Sequence, residues 1–140
     1  MSELDKEVME AKLLDFAKAL ERFSDALLLP KDTGFSYLDT SAHRFMLCYE
    51  LTWKNLARFL SFRGIEAKSP VSVFREAYQE KLIDNKEIFA EMVKDRNIVT
   101  HEYFQEKAEE IYIKLPTYLE AMRSVHNKIE YLYKNSEMGL

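Results

Sequence analysis

Residues 105–134 read QEKAEEIYIKLPTYLEAMRSVHNKIEYLYK, and this stretch decides the fold class. Ala108, Ile111, Leu115, Tyr118, Met122, Val125, Ile129 and Leu132 recur at intervals of three and four. Such spacing holds apolar groups on one side of a helix, because an α-helix turns once every 3.6 residues. Pro116 lies inside the stretch. Proline removes one backbone donor and crowds the preceding turn, so a kink is expected there.

The same spacing recurs upstream. Met9, Leu13, Phe16, Leu20, Phe23 and Leu27 predict a helix from Leu4 to Leu29, broken by Pro30, Asp32 and Gly34. Phe45, Cys48, Thr52, Leu56 and Phe59 form a stripe that Tyr49, Trp53 and Leu60 widen. They predict a heavily buried helix from Asp39 to Arg63, with Gly64 as its stop. Ser69 as N-cap and Pro70 at the first helical position open a short third helix. A fourth is expected to start at Asp84, with Glu87 as capping-box partner and Ile88, Met92 and Val93 facing inward. No segment reads as a strand. The result is an all-α chain, an up-and-down four-helix bundle with one additional short helix. Residues 1–134 are expected to form a single helical domain and 135–140 a frayed tail.

The bulk numbers agree. A chain of 140 residues suits one domain, and one of this length buries roughly 68–70% of its unfolded surface. With 47% apolar and 31% charged residues it has a globular balance. Three glycines and three prolines leave little material for turns, which favours a few long elements. The net charge of −4 argues against broad electrostatic binding of nucleic acid, and no DNA partner is expected. A local phosphate site stays open. The single cysteine, Cys48, has no internal disulfide partner, which fits a reduced cytoplasmic setting. No signal peptide is evident, and no apolar run approaches the roughly 20 residues that span a bilayer.

One segment resists explanation by packing. Arg96-Asn97-Ile98-Val99-Thr100-His101-Glu102-Tyr103 gathers a guanidinium, an amide, an imidazole and a phenol where the fourth helix gives way to the fifth. Arginine grips phosphate and histidine moves protons near neutral pH. Metal-free RNA cleavage needs those two roles, proton transfer and a cation for the developing phosphorane charge. No carboxylate and histidine cluster has metal-ligand spacing, so neither a catalytic metal nor a cofactor is expected. Arg96 and His101 stand about 140° apart around a straight helix, so they converge only if the helix ends near Thr100 or a second copy completes the site. The plainer reading has Arg96 paired with Asp95 or Glu102 on the surface and His101 capping the helix. Glu50, amid Tyr49, Leu51 and Trp53, needs a partner. That partner is either Lys54 one turn on, or the Arg96 region.

Arg96, His101 and Tyr103 match the R-x4-H-x-Y form of the HEPN motif. The flanking residues Arg44-Phe45, Glu50-Leu51, Trp53-Lys54, Ser69-Pro70, Phe74-Arg75-Glu76-Ala77, Leu82-Ile83, Lys94-Asp95-Arg96-Asn97 and Ala108-Glu109-Glu110-Ile111-Tyr112 are similar to one branch of it. That branch is the nucleotidyltransferase substrate-binding protein family, which includes HepT-type toxins. The resemblance runs from about residue 8 to residue 125. It implies a homodimeric helical bundle working with a separate minimal nucleotidyltransferase. It also implies a ribonuclease toxin of a toxin–antitoxin pair, with Arg96 on the scissile phosphate, His101 transferring the proton and Asn97 orienting. The resemblance implies that Tyr103 accepts AMP from the partner, while the residues themselves suggest that Glu50 and Lys54 bind substrate or support the site. Met46, Glu102 and Phe104 depart from the usual pattern. The alternative is a non-catalytic substrate-binding subunit of a two-component nucleotidyltransferase. The chain is not itself the transferase, since it lacks paired aspartates in a Gly-Ser context.

Overall fold

The computed structural model describes residues 1–101 and 104–135. Five helices follow one another: α1 (Glu3–Ala26), α2 (Ser36–Phe62), α3 (Pro70–Gln79), α4 (Lys86–Val99) and α5 (Phe104–Lys134). No strand occurs among the described residues. The expected all-α bundle is therefore present.

Side-chain contacts give the directions. Ser41 Oγ donates to the Ala26 carbonyl at 3.4 Å and Cys48 Sγ to the Ala19 carbonyl at 3.2 Å, so α1 and α2 run antiparallel. His126 Nε2 lies 3.1 Å from the Leu13 carbonyl, while Tyr133 donates to Glu10 at 2.9 Å, so α5 also opposes α1. The start of α4 borders Ser124 and Lys128, and Asp95 near its end meets Lys114. Helices α1, α2, α4 and α5 thus alternate up and down, with α3 packed against α2 and α4.

Each helix end has a local cause. Ser2 and Asp5 exchange hydrogen bonds at 3.0 Å in a capping box that starts α1. The Asp32 carboxylate accepts the Ser36 and Tyr37 amides at 3.3 and 3.2 Å, so α2 begins three residues before the expected Asp39. Gly64 stops α2 at φ +81°, with the Gly64 amide on Ser61 and the Ile65 amide on Leu60, both at 2.9 Å. Ser69 and Pro70 open α3 as expected. The fourth helix differs. Its N-cap is Asn85 rather than Asp84, because the Asn85 side chain accepts from the Glu87 and Ile88 amides at 3.1 and 3.2 Å. Helix α5 continues through Pro116 without interruption. Of the expected tail, all but Asn135 lies outside the described residues.

The main core is a cluster in which Met9, Phe16 and Phe23 of α1 meet Phe45, Leu56 and Phe59 of α2 and Leu115, Tyr118, Met122 and Ile129 of α5, and Tyr37, Leu38 and Ala108 form a smaller one. Phe45 stacks on Tyr118 with ring centroids 5.4 Å apart. Full burial of each such side chain contributes roughly 1.5–3 kcal/mol. His126 is buried on the α5 stripe, edge-on to Phe16 at 5.3 Å, which makes it a packed histidine. His43 is exposed.

Candidate functional site

Helices α2 and α4 cross where Tyr49, Glu50 and Trp53 face Val93, Arg96 and Asn97, and the start of α3 closes the rim with Ser69, Pro70 and Val71. The cleft has a volume of about 390 Å³. Glu50 organises it. One carboxylate oxygen meets Arg96 Nη2 at 3.6 Å. The other meets Lys54 Nζ at 3.6 Å and accepts the Trp53 indole N–H at 3.2 Å. Both partners read for Glu50 from the sequence are thus present together. Glu50 and Lys54 sit one helical turn apart, which leaves the second oxygen free to reach across to α4.

Arg96 is half-buried, and its guanidinium lies 6.0 Å from the centre of the Tyr49 ring. Burial pushes the pKa of the Tyr49 phenol up to about 12, with Arg96 pulling it down and Glu50 adding to the rise. The ring beneath Arg96 is therefore neutral at physiological pH. Arg96 Nε is buried and makes no hydrogen bond among the described residues. The guanidinium has five N–H donors, and its contact with Glu50 runs through one nitrogen, so the group keeps capacity for a further acceptor.

The surface pairing of Arg96 with Asp95 does not occur. Asp95 points the other way, with 1% exposure. It accepts the Tyr118 hydroxyl and meets Lys114 Nζ at 2.7 Å, while Glu91 adds a looser contact to Lys114 at 3.8 Å. Burial first, and then the hydrogen bond and charge of Asp95, raise the Tyr118 pKa. Sequence reasoning missed this cluster. The available signal was phase, since Asp95 falls three residues after Met92 on the inward stripe, where a carboxylate needs a partner.

The expected site residues are only partly brought together. Arg96, Asn97, Glu50 and the edge formed by Lys54 share one region, with Asn97 exposed at the cleft. The helix ends before His101, as convergence with Arg96 would require. Thr100 is the C-cap, its hydroxyl donates to the Asn97 carbonyl at 2.9 Å, and the His101 amide bonds the Ile98 carbonyl at 3.0 Å. His101 is exposed beyond that turn and does not line the cleft. Tyr103 and Glu102 lie outside the described residues. Among the described residues, no group of three or more His, Cys, Asp or Glu is gathered as a metal site. No described helix is long and apolar enough to cross a membrane.

Fold and cleft together define an α-helical bundle domain with a polar arginine–carboxylate cleft at the crossing of α2 and α4. The sequence model of the family described as "nucleotidyltransferase substrate binding protein like" matches residues 9–131, and the chain belongs to that family. A crystal structure of a protein from Thermus thermophilus is similar, with 29% identity and a TM-score of 0.74 over 81% of this chain and 98% of that one. A Haemophilus influenzae structure, described as revealing the fold of a substrate binding domain of a nucleotidyltransferase, shares the fold at 22% identity. Its TM-score is 0.61, over 89% of this chain and 98% of that one. Comparison with curated proteins gives no match.

Proposed function

We propose that this chain is a non-catalytic substrate-binding subunit that serves a separate nucleotidyltransferase, and that the Arg96 cleft holds the substrate. The observation that carries this reading is the family match over residues 9–131. The cleft geometry supports it. Arg96 is oriented by Glu50 through one nitrogen and backed by the Tyr49 ring, beside an exposed amide and an indole. Such a set binds and orients a polar ligand. In this reading the chain also pairs with a second copy of itself, and the exposed Leu4, Val8 and Leu14 of α1 are available for that contact.

The HEPN-type ribonuclease toxin, with Arg96 and His101 as catalytic pair, Asn97 orienting and Tyr103 as AMP acceptor, takes second place. In its favour is the end of α4 just before His101. Against it stands Glu50, a carboxylate on the guanidinium that would have to receive an RNA phosphate. Co-expression with a minimal nucleotidyltransferase from the same organism separates the two. The subunit reading expects a stable complex and no RNA cleavage by the chain alone. Cleavage that disappears in His101→Ala, or an AMP mass added to the peptide containing Tyr103, would overturn it in favour of the toxin.

A further inference from the structure

A second depression lies between α3 and α4. Phe74 and Phe89 form the floor of a groove of about 550 Å³, walled by Val71 and Tyr78 on one side and Ala90 and Val93 on the other. Val71 and Tyr78 are 50% and 38% exposed, which leaves large apolar groups uncovered. Arg75 and Lys86 border the groove, both exposed and neither in an ion pair among the described residues. Lys86 Nζ instead lies over the Tyr78 ring, 5.4 Å from its centre. Glu87 adds a carboxylate at the mouth. In a chain of net charge −4, two such cations beside an apolar floor form a local reversal of sign. An apolar centre with a charged rim is the anatomy of a protein docking surface.

This groove is continuous with the Arg96 cleft, because Val71 and Val93 line both. We propose that it docks the nucleotidyltransferase subunit, through an amphipathic segment that seats apolar side chains between Tyr78 and Ala90 and sets carboxylates against Arg75 and Lys86. The proposal rests on the substrate-binding reading above. A subunit that only holds substrate must seat the transferase at the edge of its cleft, since reacting atoms have to come within about 3–3.5 Å. A groove between α1 and α2 also meets the cleft, through Glu50, but Asp15, Lys18, Arg22 and Arg44 make its walls charged. Of the two, it is the α3–α4 groove that combines the adjoining position with an apolar floor.

Calorimetric titration of the full chain with a minimal nucleotidyltransferase from the same organism tests this. The set comprises wild type, Ala90→Glu and the double variant Arg75→Glu/Lys86→Glu. All three groove positions are exposed, so the variants should fold, and circular dichroism checks that they do. Wild type is expected to bind, and each groove variant to lose at least about tenfold in affinity, as for loss of an interface hot spot. Groove variants that bind like wild type would overturn the docking proposal and leave the subunit reading standing. No binding by wild type would overturn both. If groove variants lose only self-association in sedimentation, the groove is a contact between copies and the proposal fails.

Discussion

Asp95 and Arg96 are neighbours on one helix with opposite fates. Asp95 turns inward, is 1% exposed, and has its carboxylate occupied by Tyr118 and Lys114. Arg96, about 100° further round the axis, stays half-buried with one loose ion pair among the described residues and an Nε that has no partner there. The first arrangement is saturated and holds α4 to α5. The second is unsaturated and leaves capacity for a ligand. One turn of helix thus supplies both a structural clamp and a recognition group, and the difference lies in how completely each polar group is satisfied.

Removing the clamp should have the largest effect. Asp95→Ala strands the buried Tyr118 hydroxyl and frees Lys114, and should cost about 2–4 kcal/mol in urea unfolding. A loss under about 1 kcal/mol would mean the cluster is not the clamp described here.

Alkaline titration probes both sides at once. Tyr49 beneath Arg96 and Tyr118 beside Asp95 have pKa values raised by burial. Above the ordinary tyrosine value of about 10, the unfolded chain loses these protons while the folded chain keeps them. The unfolded state then binds fewer protons, so stability falls as pH rises. For Tyr49 the fall should extend from about pH 10 to about 12, with a slope of up to about 1.4 kcal/mol per pH unit. Tyr49→Phe should flatten part of that slope in pH-dependent denaturation. An unchanged profile would remove Tyr49 from the account.

The smallest stability effect should come from Arg96→Ala. Its pair with Glu50 is about a third exposed on both sides, so its loss should cost no more than about 0.5–1 kcal/mol. Ligand retention should instead be lost, and Arg96→Lys should not restore it, because an ammonium lacks the forked donors. A variant destabilised as much as Asp95→Ala would erase the contrast between the two neighbours.

Much of this was legible in the chain. The apolar stripes located every long helix, and local chemistry marked Ser69, Pro70 and Gly64 as ends. The start of α2 was less legible, because its cap is Asp32, a residue that reads equally well as an ordinary turn residue. The α4 cap lay between adjacent Asp84 and Asn85, both good capping types, and only backbone geometry selects the second. For the site, the residue types were visible but not their pairing. Glu50 and Arg96 are far apart in the chain, and Glu50 had an equally good local partner in Lys54.

The sequence by itself determined the helices, their inward faces and the concentration of able side chains around residue 96. These depend on periodicity and capping, which act over about three to five residues. Only the tertiary structure decided that Asp95 faces Lys114 and Tyr118 while Arg96 faces Glu50. It also joined the Arg96 cleft to the α3–α4 groove. Those outcomes depend on how α2, α4 and α5 cross, and a crossing is set by the packing of whole helix faces, not by any local run of residues.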